Sequence, residues 1–280
     1  MNTPKKILFS LFLSIILLVC SEGALQLYEI PSKGIYQGDP ATLWTLRPNL
    51  NQQISNPPYP FSVRTDKHGF RGEATSGAWL ALGCSTTFGW GVEEEEAWPA
   101  ILSREIGIPI INGGVPGWST HQAKQKVAEW NHFQPPVVLV AYIVRDSQSA
   151  IRSDSAAQPS PFWSRLQLFR LMDQLISPPK SDTSNGYTHR VPLEEYKINL
   201  QEIQDSFPNS EVLFFPFPQK NPSNPWIDVL HSLPHIEVPS ASEHWFFRED
   251  EIHLNPAGHK NLASFLKSSL VDASILPPSH

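Results

Sequence analysis

Charge is scarce in this chain. Only 17% of its 280 residues are Asp, Glu, Lys or Arg, against ~25% in an average soluble protein. The 21 basic residues are outnumbered by 27 acidic ones, a net charge of −6, which argues against nucleic acid as the main partner. Cysteine is nearly absent. Cys20 and Cys84 stand alone, too few for a disulfide scaffold or a cysteine-rich zinc module. Ten histidines leave a histidine metal site open on composition alone, but no metal and no cofactor is expected. What is abundant is apolar surface, 40% of residues, and proline, 27 of them. The first supports a sizeable core and the second predicts long ordered loops rather than a helical bundle. The length suits one large domain or two small ones.

The N-terminus bears on compartment. Lys5 and Lys6 precede Ile7 to Val19, which is apolar apart from Ser10 and Ser14. A basic stretch before a short apolar one reads as an export signal. A full span needs ~20 residues, and extension to Leu27 takes in Ser21, Glu22 and Gln26. Ser21 and Gly23 are small enough to mark cleavage before Ala24. Residues 1–27 are therefore either a cleaved signal peptide or a retained membrane anchor centred on residues 7–20. Lipidation of Cys20 is disfavoured by the bulk of Val19. The expected location is periplasmic or at the extracellular face of the membrane, which leaves Cys84 without a partner.

Residues 28–76, rich in Pro, Asn and Gly, are expected to wrap a domain at 77–275. Phe61 to Thr65 alternates like a strand. Ala78–Leu82, Ile108–Ile111, Val137–Val144 and Glu211–Phe217 read as strands. Helices are expected from Ala97 to Ile106, stopped by Gly107; from the Ser119/Gln122 capping box to about His132; from Leu193 to Phe207; and from Asn255-Pro256 to about Leu270. This alternation implies a mainly parallel sheet covered on both faces. An insertion at about 153–190 interrupts it. There Trp163, Leu166, Phe169, Leu171, Met172, Leu175 and Ile176 form an apolar face at helical spacing, with Arg165 and Arg170 beside it. That helix either packs on the domain or serves as a lid or membrane-facing element.

Three short motifs carry chemistry. Gly83-Cys84-Ser85 ends the first strand of the domain, and a serine leaving a strand at a glycine turn sits at the carboxyl edge, where open α/β folds place their sites. Asp250 precedes His253 by three residues, close enough to orient one imidazole nitrogen while the other faces a hydroxyl. His259 is the competing histidine but falls inside the expected last helix. The third motif, Asn112-Gly113-Gly114-Val115-Pro116-Gly117, brings backbone N–H groups near a substrate oxygen.

In this order, each at a strand's end, the motifs resemble those of the SGNH (GDSL-type) serine hydrolases, in a branch with Gly-Cys-Ser in place of Gly-Asp-Ser. Phe61 to Gly72, Val191 to Leu200 and Asp250 to Ala263 resemble further blocks of exported members, so the likeness covers about residues 42–270. It implies a three-layer α/β/α sandwich around a five-stranded, mainly parallel sheet, and hydrolysis or transfer of an ester-linked acyl group. Ser85 carries over as nucleophile, His253 as general base, Asp250 as the carboxylate orienting it, and the N–H groups of Ser85 and Gly114 as oxyanion donors. Cys84 is read as a buried neighbour. The asparagine expected before Asp146 is Arg145 here, a guanidinium that either donates to the oxyanion or pairs with Asp146. Ser85 and His253 are expected in a cleft that solvent reaches.

Two functions stay open. One is a serine esterase or acyltransferase acting on a small-molecule, polysaccharide O-acetyl or lipid ester. The other is a non-catalytic carbohydrate- or polymer-binding domain, with Trp90 and Trp118 as stacking surfaces.

Overall fold

In the computed structural model the described residues are 3–28, 34–55, 59–156, 166–176, 188–219, 224–250 and 252–277. The N-terminal segment forms helix α1 (Thr3–Leu27). The wrapping segment is two antiparallel hairpins, β1 (Tyr36–Asp39) with β2 (Leu43–Leu46), and β3 (Asn51–Ile54) with β4 (Phe61–Arg64). Then come β5 (Trp79–Gly83), α2 (Ser85–Phe88), α3 (Trp98–Ile106), β6 (Ile110–Gly114), α4 (Thr120–Lys126) and β7 (Val137–Val140). A two-residue pair, β8 (Ser149–Ala150) with β9 (Thr188–His189), encloses α5 (Gln167–Ile176). The chain ends through α6 (Leu193–Asp205), β10 (Glu211–Phe214), α7 (Pro225–His231) and α8 (Pro256–Asp272).

The central sheet is parallel, in the order β10-β7-β5-β6. Every residue of β5 and β7 is buried, so side chains on both faces need cover. One layer holds α3 against α8, and another holds α4 and α7 against α6. This is an α/β sandwich, with four strands among the described residues rather than five. The fifth position is filled by a single parallel bridge between Phe214 and His235. Phe214 N–H donates to Pro234 O and Ile236 N–H to Phe214 O, at 2.9 and 2.8 Å. Pro234 has no N–H, so the pairing cannot extend into a regular strand. On the opposite side Arg71 bridges Asn112 of β6, and the wrapping segment thereby covers that edge.

Local signals largely decide the element ends. Gly107, at φ 72°, caps α3 with its N–H on Ser103 O. Ser119 and Gln122 make both bonds of a capping box at α4. The helix expected to run to His132 tightens instead into a 3-10 segment over Val127–Phe133. Residues three apart eclipse in that geometry, which brings Trp130 and Phe133 together against Phe70. Of the apolar run Val137–Val144 only the first four residues are strand; Ala141 to Ile143 stay buried while the chain turns toward the site. In the insertion, α5 packs against α1. Trp163 and Arg165 lie outside the described residues, as do the side chains of Arg170, Leu175 and Ile176.

Candidate active site

Ser85 begins α2, a four-residue helix whose side chains are all buried. Gly83 is required by packing, since a Cβ there would lie 2.0 Å from Thr87 Oγ1. The turn after α2 is gripped by Arg71. Its Nη1 donates to Phe88 O and Gly89 O, both at 2.6 Å, and its Nη2 to Val92 O at 2.6 Å and Ser62 O at 3.1 Å. The guanidinium also stands 4.5 Å from the Phe88 ring centroid. Burial lowers the Arg71 pKa to about 10, with Glu94 and Glu93 opposing that shift. Asn112 secures the other side, its Nδ2 donating to Thr87 O and Phe88 O at 3.1 and 3.3 Å. The role of Arg71 has no signature in the sequence, because its partners lie up to 21 residues away.

The acid–base loop is built locally. Asp250 Oδ1 accepts from the N–H groups of Ile252 and His253 at 2.8 and 3.0 Å, and Oδ2 lies 2.5 Å from His253 Nδ1. His253 Nε2 lies 2.8 Å from Ser85 Oγ. Partial burial raises the Asp250 pKa, but the hydrogen bond and charge of His253, with the two N–H donors, outweigh it and bring the value to about 2. The carboxylate therefore stays ionised and holds a proton on Nδ1, which leaves Nε2 as acceptor for the serine hydroxyl. Asn255 caps α8 through Gly258 N–H and donates to His244 O and Phe246 O, fixing the loop's exit. His259 is inside α8 and buried, its Nδ1 accepting from Trp98 N–H at 3.2 Å. Burial, then Arg71 and His253, lower its pKa to about 3, so it is a neutral packing element.

Several expectations need correction. The site is less open than expected, with Ser85 2% and His253 9% exposed. Gly114 does not offer its N–H to a substrate: that group donates to Asn112 Oδ1 at 3.0 Å, and the glycine packs on the backbone of α2. The next turn carries an N–H that is not taken up in this way. Trp118 N–H closes on Val115 O, Pro116 and Gly117 occupy the centre, and Gly117 has φ 88°, a type II turn. Its N–H has no protein partner among the described residues, while its carbonyl accepts from Arg190 Nη1 at 2.8 Å. The Pro-Gly pair was the sequence signal for this turn.

Arg145 and Asp146 do not pair. Arg145 Nη1 donates to Gln148 Oε1 at 3.0 Å, and its Nε is buried without a partner. Asp146 is fully buried, with Oδ1 accepting from Thr120 N–H and Oγ1 at 2.8 and 2.6 Å. Burial raises its pKa to about 6 despite those bonds. The two residues lie in the turn after β7, where Asp146 faces the interior and Arg145 is only half-buried. Trp118 is fully buried against Trp130 and has no free face for a sugar. Trp90 is half-buried, edge-on to Phe61. Cys84 is buried, as its assignment as a neighbour requires.

Beside the acid–base loop lies a cavity of about 570 Å³ lined by Tyr59, Phe246, Phe247, Arg248 and Asn255, among others. Tyr59 stacks on Phe247 at 3.8 Å. Among the described residues one set has metal-ligand chemistry: His231, His235 and Glu237, mutually within 4.8 Å. None of the three bonds to Ser85, His253 or Asp250, and Glu237 already lies 3.2 Å from His235.

No protein-family model matches the chain, and no curated protein sequence does. Solved structures do resemble it. One is a protein assigned to the G-D-S-L lipolytic family from Desulfitobacterium hafniense DCB-2, 13% identical with a TM-score of 0.47, covering 70% of this chain and 100% of that one. TesA is 12% identical with a TM-score of 0.46, covering 69% and 97%. The acetyl xylan esterase Est2A from the rumen bacterium Butyrivibrio proteoclasticus is 12% identical with a TM-score of 0.45, covering 73% and 65%.

Proposed function

We propose that this chain is a serine esterase, hydrolysing or transferring an ester-linked acyl group through an acyl-enzyme on Ser85. The observation that carries the proposal is the unbroken bonded series Ser85 Oγ, His253 Nε2, His253 Nδ1, Asp250 Oδ2. As Ser85 Oγ attacks the ester carbonyl carbon, His253 Nε2 takes the hydroxyl proton and ionised Asp250 stabilises the imidazolium. The carbonyl electron pair moves onto oxygen. When it returns, the carbon–oxygen bond to the alcohol breaks and His253 protonates the leaving group. Water or an acceptor hydroxyl then repeats the sequence in reverse and frees Ser85.

The developing oxyanion needs donors already in place. Three groups support that role: Ser85 N–H, which opens α2 and has no intrahelical acceptor; Gly117 N–H; and the unpartnered Nε–H of Arg145. Arg145 replaces a neutral amide donor by one that is always charged. The aromatic pair Tyr59–Phe247 and Arg248 beside the loop suit the alcohol part of the substrate, which we take to be an O-acetylated carbohydrate or a lipid ester. A purely binding role has less support, because Trp118 offers no stacking face. We place the protein outside the cytoplasmic membrane, from Lys5 and Lys6 ahead of the apolar leader. Labelling of the purified protein by an active-site fluorophosphonate tests the proposal. Labelling that disappears in Ser85→Ala is expected; equal labelling of both proteins, or of neither, refutes an activated serine.

A further inference from the structure

The leader and the insertion lie 145 residues apart in sequence and are joined by one carboxylate. Glu22 Oε1 accepts from Gln167 N–H, and Glu22 Oε2 from Leu168 N–H, both at 2.9 Å. These N–H groups belong to the first turn of α5, where no intrahelical acceptor exists. Glu22 therefore caps α5 from a different helix, and an ionised acceptor makes such bonds strong. Gln26 holds the carboxylate in place, its Nε2 donating to Glu22 Oε1 at 2.7 Å.

Among the described residues, the rest of α1 is left uncovered. Its large side chains from Ile7 to Val19 are all at least 40% exposed. Pro4 to Leu27, whose most apolar window has a mean hydropathy of 2.2, is long and apolar enough to cross a bilayer. Lys5 and Lys6 stand at one end of the apolar stretch, and Glu22 and Gln26 at the other. With Lys5 and Lys6 in one headgroup layer, the stretch from Lys5 to Ser21, at the short end of the ~17–25 residues that span a bilayer, brings Glu22 to the other headgroup layer, where α5 begins. Helix α5 is amphipathic at this end: Gln167 is buried, while Leu166, immediately before the helix, and Phe169 and Met172 within it, each three residues on, are 37, 41 and 49% exposed. An uncovered apolar face on a helix whose first turn is fixed at the membrane exit is satisfied by the acyl–headgroup boundary.

We propose that the leader is retained as an anchor and that α5 lies along the outer surface of the phospholipid bilayer, with Leu166, Phe169 and Met172 inserted at the acyl boundary. A signal peptidase cut before Ala24 would remove Glu22 and leave α5 uncapped. The bilayer is favoured over a second copy of the chain because it covers the whole exposed length of α1 as well as the α5 face. The inference concerns placement and stands whether or not Ser85 is activated.

The test uses the full chain isolated from membranes and reconstituted in phosphatidylcholine–phosphatidylglycerol vesicles. Intact mass is expected to include residues 1–27; a mature chain starting at or after Ala24 overturns the proposal. In a Cys20→Ser background, cysteines placed singly at Phe169, Met172 and Ile198 are labelled with an environment-sensitive fluorophore. Ile198 is 56% exposed on α6 and Cys84 is buried. Lipids bearing a quencher high on the acyl chain should quench the labels at 169 and 172 several-fold more than the label at 198. Adding Glu22→Ala should reduce that excess while the chain remains in the membrane pellet. Equal quenching at all three positions, or excess quenching unchanged by Glu22→Ala, overturns the proposal. So does shielding of 169 and 172 by label-to-label crosslinking without lipid quenching, the signature of a second copy.

Discussion

From Gly83 to Gly89 every residue around the serine is buried, and the turn's carbonyls are held by side chains from Arg71 and Asn112. Around the histidine, Arg248 and Glu249 are exposed, Asp250 is half-buried, and the bonds that shape the loop come from Asp250 and Asn255 themselves. The serine is thus placed by distant sequence and the imidazole by its near neighbours. The contrast separates two kinds of damage. Changes near the histidine should remove chemistry and spare the fold, whereas changes behind the serine should cost stability first.

The largest effect is expected at the point where the two segments meet. Ser85→Ala and His253→Ala should each lower kcat on an aryl acetate by about 10⁴–10⁶-fold, and the double variant should be no slower than either one. Thermal melts should stay close to the parent's. Multiplying losses in the double variant would mean that the two residues do not act as a unit.

Asp250→Asn comes next, with a loss of up to about 10⁴-fold in kcat, because the amide favours the wrong imidazole tautomer. It also changes the acid limb of stability. The folded Asp250 pKa of about 2 lies below the ordinary ~3.9, so its contribution is present above about pH 4 and is lost as pH falls toward 2. Urea midpoints measured across that window should fall further for the parent than for Asp250→Asn.

On the serine side, Arg71→Met should cost about 3 kcal/mol or more in urea unfolding, because it leaves several buried carbonyls without donors. Arg71→Lys should recover only part of that, lacking the planar fork. A near-neutral Arg71→Met would show that the turn does not depend on its clamp.

The smallest predicted change is at Arg145. Its replacement by Ala should lower kcat by about 10²-fold with little change in KM, as for loss of one oxyanion donor. Arg145→Asn should retain more activity than Arg145→Ala. A clear gain in kcat for Arg145→Asn over the parent would remove Arg145 from the oxyanion hole.

The same contrast explains what could be read in advance. The strand ending at Ser85, the apolar run of β7, the Ser119–Gln122 box and the Asp250–His253 pair are all local patterns, and local patterns are legible. The choice between Gly114 and Gly117 was not, because it depends on which N–H a distant or folded-back acceptor already occupies. Asn112 Oδ1 takes the first. The sequence left Arg145 either donating to the oxyanion or pairing with Asp146; burial turns Asp146 to Thr120, which removes the pair and leaves Arg145 to Gln148. That only four strands form among the described residues reflects Pro234, a residue whose place at a sheet edge is invisible until the register is known.

The insertion's ends are fastened close together. β8 pairs with β9, Asp154 N–H donates to Arg190 O at 2.7 Å, and Arg190 grips the Asp154 carboxylate through Nε and Nη2 at 3.0 and 2.7 Å. The third arm of that guanidinium holds Gly117 O, so the seam that closes the insertion also braces the turn beside the serine. Closing a loop costs only ~0.6 kcal/mol for each doubling of its length. A change of length between Asp154 and Thr188 is therefore expected to leave Gly117 undisturbed, because the Arg190 seam holds on the near side of it.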